Sequence, residues 1–257
     1  MESYYDLGKG YPIVMLHSFN HSKLMWEYSL PWFLEHGYRV IAPDLRGHGE
    51  NELNGREMSI DKFSDDVIEL LDKLGIKKAA FLGSSAGGYT TLDIWKKRPD
   101  LISAMVLAGS KAQRDSEEII SRRKEQIKTL KDRGLKGHLD NVHKRLAKNT
   151  VVNKPWVLDL VRSMSANMSR DAIIGALEAL ISKLDHTEIL SSINVPTLII
   201  CGEEDIFTPC EYSKYLNEHI ANSELLLLKD AAHINPLDQP EIFNSSVLEF
   251  LEKNRIE

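Results

Sequence analysis

Gly83-Ser84-Ser85-Ala86-Gly87 fits the pattern G-x-S-x-G, and Gly88 extends it. A serine hydroxyl is a weak nucleophile until a neighbouring base takes its proton and a third group holds that base. The pattern begins where the apolar run Ala79-Ala80-Phe81-Leu82 ends, and helical spacing over 86–97 follows at once. A sharp strand-to-helix turn strains its central residue, and flanking glycines let strand and helix approach closely. Ser85 is therefore the candidate nucleophile, and Ser84 only its neighbour. The bland alternative is a glycine-rich turn without chemistry.

The partners of the serine decide against that alternative. Gly202-Glu203-Glu204-Asp205 directly follows the apolar run Thr197–Cys201, and His233 follows Leu225–Leu228. Each residue then lies at a strand's carboxyl end, the edge where ligands gather in open α/β sheets. Asp205 is favoured over Glu203 and Glu204 as the acid, with His233 as the base. Acyl transfer also needs two backbone N–H groups aimed at the developing oxyanion. Ala86, next after the serine, supplies one. Phe19, in the loop His17-Ser18-Phe19-Asn20-His21 after the run Pro12–Leu16, supplies the other. His17 and His21 stand four apart but lack a third ligand at metal-binding spacing, so no metal or cofactor is expected.

The elements that position these residues follow from periodicity. Runs at 12–16, 38–42, 79–82, 104–108, 197–201 and 225–228 read as strands. Helical spacing occupies 22–36, 60–74, 86–97, 209–220 and a stretch from about 240. Strands alternating with helices predict an α/β fold with a mostly parallel sheet flanked by helices. Residues 111–186 contain no strand-like run. They read as a helical cap, or lid, inserted into an α/β core made of 1–110 and 187–257. Within the cap Trp156, Met164 and Met168 recur at near-helical spacing and are candidates, with Ser18, for the substrate pocket. Arg122-Arg123-Lys124 reads as a solvated helix face.

Composition bounds the rest. The chain has 257 residues, 42% hydrophobic and 27% charged, which suits one large globular unit. Its formal charge of −6 leaves no footprint for a nucleic-acid backbone. That charge is uneven. Residues 111–150 hold 12 Lys/Arg against 6 Asp/Glu, a net +6, so the remainder carries −12. A basic lid would steer anionic esters, an effect that salt screens. Two cysteines, Cys201 and Cys210, form no disulfide framework and suggest a reducing compartment. The start, Met1 to Asp6, lacks the features of a signal peptide, and no run approaches a membrane span. A cytoplasmic protein, monomer or homodimer, is expected.

The chain resembles the α/β-hydrolase superfamily over essentially its whole length. The resemblance rests on Leu16-His17-Ser18-Phe19, Asp44-Leu45-Arg46-Gly47-His48-Gly49, Gly83-Ser84-Ser85-Ala86-Gly87, and Gly202-Glu203-Glu204-Asp205 with Pro209 leading to His233. Within that superfamily it looks most like the carboxylesterase and 3-oxoadipate enol-lactonase-like group, through Ala108–Gln113 and Gly175-Ala176-Leu177. Three positions depart from the family pattern. His17-Ser18 replaces His-Gly, Asn51 stands where serine is usual, and the strand expected before Tyr4 is nearly absent. The resemblance implies Arg46 and His48 in structural roles and Ser85, Asp205 and His233 as a catalytic triad. Serine rather than a carboxylate at position 85 disfavours dehalogenase- and epoxide hydrolase-like chemistry. The expected function is a serine carboxylesterase acting on small esters. An enol-lactonase acting on a cyclic ester, or a receptor-like ligand-binding member with little turnover, are the alternatives.

Overall fold

The computed structural model describes residues 2–256, the side chain of Lys136 apart; Met1 and Glu257 lie outside them. Seven strands form one sheet: β1 (Tyr4–Leu7), β2 (Pro12–Leu16), β3 (Arg39–Pro43), β4 (Ala79–Ser84), β5 (Ile102–Ala108), β6 (Thr197–Gly202) and β7 (Ser223–Leu228). Their order is β1-β3-β2-β4-β5-β6-β7, with β1 antiparallel to β3 and the other pairs parallel. The chain is an α/β protein, as its alternating periodicity predicts.

Central strands of such a sheet are apolar on both faces, because helices cover both. Every residue of β4, β5 and β6 is buried. Successive residues divide by parity between two cores. Phe81, Met105, Leu107 and Ile199 face one cluster, while Ala80, Leu82, Ala104, Val106 and Ile200 face the other.

The first helices are α1 (Ser29–Glu35), α2 (Ile60–Lys73) and α3 (Ala86–Lys97). In α2 the buried stripe Ile60, Phe63, Val67, Leu70 and Leu71 faces the core, and the Ser59 hydroxyl caps the start by accepting the Lys62 N–H. Such a cap contributes about 1 kcal/mol. Residues 22–36, expected as one helix, form a 3₁₀ turn at Lys23–Trp26 and then α1. Pro31 explains the restart, since proline is tolerated only in a helix's first turn. Between β5 and β6 lie five helices: α4 (Glu117–Arg133), α5 (Lys136–Leu139), α6 (Lys148–Asn153), α7 (Pro155–Ala166) and α8 (Arg170–Ile181). After β6 come α9 (Cys210–His219), α10 (Asn235–Asp238) and α11 (Pro240–Lys253).

One strand was not expected, and one reading is corrected. Tyr4–Leu7 is a strand, paired from Tyr4↔Pro43 to Leu7↔Val40, although its four residues carry no apolar run. An edge strand needs only one paired neighbour, so its sequence signal is weak. Cys201 and Cys210 form a disulfide, with Cα atoms 5.7 Å apart. One joins the end of β6 to the other at the start of α9, a proximity that spacing alone does not reveal. The reducing compartment inferred from unpaired thiols loses its basis. No helix among the described residues is long and apolar enough to cross a membrane.

Candidate active site

Ser85 occupies the turn between β4 and α3 with φ 50° and ψ −108°. That region is strained for a residue with a Cβ and persists only where surroundings over-determine it. Here the Ser85 N–H donates to the Ala108 carbonyl at 2.9 Å, and the Ser110 hydroxyl donates to the Ser85 carbonyl at 3.2 Å. The glycines of the motif have a steric reason. A Cβ at Gly87 would lie 2.0 Å from the Leu16 carbonyl oxygen, and one at Gly83 would lie 2.6 Å from that of Gly87.

His233 brings Nε2 to 2.9 Å from the Ser85 Oγ, and its Nδ1 to 2.8 Å from Asp205 Oδ2. A carboxylate only accepts, so Nδ1 carries the proton and Nε2 is free to accept from the serine. Asp205 is held on every side. Its Oδ1 accepts the N–H groups of Phe207 at 2.8 Å and Thr208 at 3.0 Å. The Thr208 hydroxyl lies 2.6 Å from Oδ2 and 2.9 Å from the Gly109 carbonyl. Burial opposes ionisation of Asp205. The charge of His233 and hydrogen bonds from His233 and Thr208 outweigh it, holding the carboxyl below its usual range. The rival Glu204 is committed elsewhere, accepting the Lys148 N–H at 3.0 Å.

The loop after β2 lies beside this chain of hydrogen bonds. Phe19 is buried, and Ala86, as the first residue of α3, has an N–H without an intrahelical acceptor. Ser18, expected at the pocket, lies in this loop. It is wholly buried, with its hydroxyl 3.0 Å from that of Ser84 and 3.6 Å from the Met25 sulfur. His17 accepts the Leu45 N–H at Nε2 (2.9 Å), so Nδ1 donates to the Ser18 carbonyl (2.8 Å), and both nitrogens are used. Burial, with the nearby charge of Arg145, pushes His21 well below the usual histidine value. Among the described residues no group of three His, Cys, Asp or Glu is placed to hold a metal ion.

Arg46 and His48 sit in the turn that follows β3. Arg46 makes a two-pronged pair with Asp66 at 2.8 and 2.6 Å and donates to the Glu57 carbonyl, and His48 packs edge-on against Phe63. Asn51 donates to the Asp44 carbonyl at 3.0 Å, closing the same turn.

A family model for the alpha/beta hydrolase fold matches residues 11–240. The chain belongs to that family. It is 30% identical over 233 residues to 3-oxoadipate enol-lactonase 1 of Acinetobacter baylyi, covering 90% of this chain and 85% of that one. Among solved structures, an esterase from Thermogutta terrifontis superposes with a TM-score of 0.92 at 27% identity, covering 98% of this chain and 93% of that one. The enol-lactonase from Burkholderia xenovorans superposes at 0.90 with 26% identity, covering 97% and 96%.

The expected pocket residues of the helical segment 111–186 are placed unequally. Met164 and Met168 are buried, in the two different apolar clusters, whereas Trp156 is 58% exposed at the start of α7.

Several residues at the site escaped the sequence reading. Thr208 is one; its place three residues after Asp205, just before Pro209, was the available signal. Tyr89, one turn into α3, sets its phenol beside the Ser85 hydroxyl, and burial with the charge of Asp115 raises its pKa. Arg145 stacks its guanidinium 5.4 Å from the Phe19 ring and 5.0 Å from the Phe207 ring. Arg123 also departs from expectation. It turns inward from α4 to pair with buried Asp115 at 2.7 Å, because Asp115 and Lys111, themselves 2.8 Å apart, leave one carboxylate oxygen open to it.

Proposed function

We propose that the protein is a serine hydrolase of small carboxylic esters. The observation that carries this reading is the unbroken line from Ser85 through His233 to Asp205, with links of 2.9 and 2.8 Å. As Ser85 Oγ attacks the ester carbonyl, His233 Nε2 takes its proton, and Asp205 stabilises the imidazolium so formed. The N–H groups of Phe19 and Ala86 receive the oxyanion. Collapse releases the alcohol, which takes the proton from His233, and leaves an acyl group on Ser85. Water then attacks the acyl carbonyl and gives a proton to His233; the bond from the acyl carbon to Ser85 Oγ breaks, Oγ takes that proton back, and the acid departs. In this reading the helices of 111–186 act as a lid.

A lactone is an internal ester, and the same steps open it without losing the alcohol from the product. The likeness to enol-lactonases of two organisms supports this second reading of the substrate. Ser85→Ala tests the proposal. Turnover of 4-nitrophenyl acetate should fall by about 10⁶-fold, the scale seen when a nucleophile is removed from such a unit. A folded variant that keeps wild-type turnover rules the mechanism out.

A further inference from the structure

The turn that carries Phe19 is strained, and it is held from outside. The His21 N–H closes it by donating to the Ser18 carbonyl at 3.2 Å, and between them Asn20 takes the left-handed region with φ 62°. A residue with a Cβ enters that region at a cost, so the turn keeps this shape only where its surroundings fix it. Two hydrogen bonds from the helical segment 111–186 do so, and both end on Asn20. The Ser165 hydroxyl, on α7, donates to the Asn20 carbonyl at 3.1 Å. The Asn20 side-chain amide donates to His138 Nε2, on α5. Burial and the charge of Arg145 lower His138 to about 4, so its ring is neutral and able to accept. That ring also meets Phe19 edge-on, with centroids 6.4 Å apart.

Ser165 is the less expected of the two anchors. A serine inside a helix ordinarily turns its hydroxyl back to a carbonyl three or four residues earlier, as Ser163 does to Leu160 at 2.8 Å. Ser165 reaches across to the loop after β2 instead. Both Ser165 and Asn20 are fully buried, away from bulk solvent. A buried carbonyl without a donor is costly, so this bond fixes the turn and the seat of α7 upon it together. Phe19 directly precedes Asn20, and a shift of the Asn20 backbone re-aims the Phe19 N–H. An oxyanion donor is effective only within a few tenths of an ångström of its working position.

We infer that Ser165 is a positioning residue of the ester-hydrolase reaction. It touches no reacting atom. Through the Asn20 carbonyl it holds the Phe19 N–H where the oxyanion forms, so the oxyanion hole is complete only with α7 seated on the loop. The inference rests on the hydrolase reading for the role of the Phe19 N–H. It gives the helical segment a part in the chemical step itself. A misaimed donor loses its bond to the transition state and little that the ground state uses, so the loss belongs in kcat.

The test compares wild type with Ser165→Ala on 4-nitrophenyl acetate and on two inhibitors of similar shape, a pentyl trifluoromethyl ketone and the matching secondary alcohol. Ser85 Oγ adds to the ketone carbon, its proton passes to His233 Nε2, and the carbonyl oxygen becomes an oxyanion. The alcohol has no carbonyl and forms no such adduct. In Ser165→Ala kcat should fall by about tenfold while KM changes by less than about twofold. Affinity for the ketone should fall by the same factor, and affinity for the alcohol should stay. Ser165→Thr, which keeps the hydroxyl, should recover part of both losses. Wild-type kcat and ketone affinity in folded Ser165→Ala overturn the inference. So does an equal loss of affinity for ketone and alcohol, the mark of a general disturbance of the site. Absence of ester turnover by wild type would remove the hydrolase reading, and this inference with it.

Discussion

Thr208 places one hydroxyl between two loops, near enough to Asp205 Oδ2 and to the Gly109 carbonyl to bond either. It touches no reacting atom in the proposed mechanism, so its role is to position Asp205 and keep it ionised. Thr208→Val removes the hydroxyl at nearly constant shape. A net hydrogen bond of about 1–2 kcal/mol to a charged group corresponds to a loss of about tenfold in kcat with little change in KM. Thr208→Ser, which keeps the hydroxyl, should recover most of it. Wild-type kcat in the valine variant would assign Thr208 to packing alone. At this scale the sequence was readable where chemistry coincides with chain position. Ser85, Asp205 and His233 each follow an apolar run, and a parallel sheet delivers such residues to one edge. Arg145 and Arg123 were opaque for the opposite reason. They lie in a helical segment rich in charge, and only tertiary packing decides which cations turn inward.

The loop that carries Asp205 is bounded by the two cysteines. Cys201, next to the last residue of β6, is fully buried, while Cys210 opens α9. The bridge encloses a short loop, for which the loss of chain entropy in the unfolded state is worth about 2–3 kcal/mol. Removing it, as Cys201→Ser with Cys210→Ser, should lower Tm by about 5–10 °C on the scale typical of a protein this size. Because the freed segment bears Asp205, kcat for a neutral ester should fall at temperatures well below the new Tm. Unchanged kcat there would make the bridge a brace for stability only. The same scale explains what element prediction caught. Six strands were visible as apolar runs because helices cover both sheet faces. β1 escaped because its pairing with β3, more than its own composition, makes it a strand, and the cysteine bridge escaped because it depends on where β6 and α9 meet.

The helical segment 111–186 and the α/β portion are joined at the turn before α6, where a buried carboxyl makes the joint a place to test for pH dependence. Asp238, wholly buried, accepts the N–H of Ala147 at 3.0 Å from one side and that of Ala232, next to His233, at 2.8 Å from the other. Lys154 donates to its carbonyl at 3.0 Å, and Glu204 holds the neighbouring Lys148 N–H. Burial raises the Asp238 carboxyl to about 6; the hydrogen bonds from Thr150, Ala232 and Ala147 oppose that rise and the charge of Glu204 adds to it. The folded state therefore binds this proton more tightly than the unfolded chain, whose value is near 3.8. Its contribution to stability is fully present below the unfolded value and is lost as pH rises through about 6. Asp44, Asp93, Asp115 and Asp205, all lowered, act in the opposite sense and lose their contribution as pH falls. A bare stability profile would mix the two. Asp238→Asn isolates one of them, since the amide does not titrate and every other group is common to both proteins. Relative to that variant, wild type should lose roughly 1–2 kcal/mol between pH 5 and pH 7.5, a narrowing of a few degrees in their Tm difference. A Tm difference constant over that range would mean that Asp238 stays ionised and that its two backbone hydrogen bonds outweigh its burial.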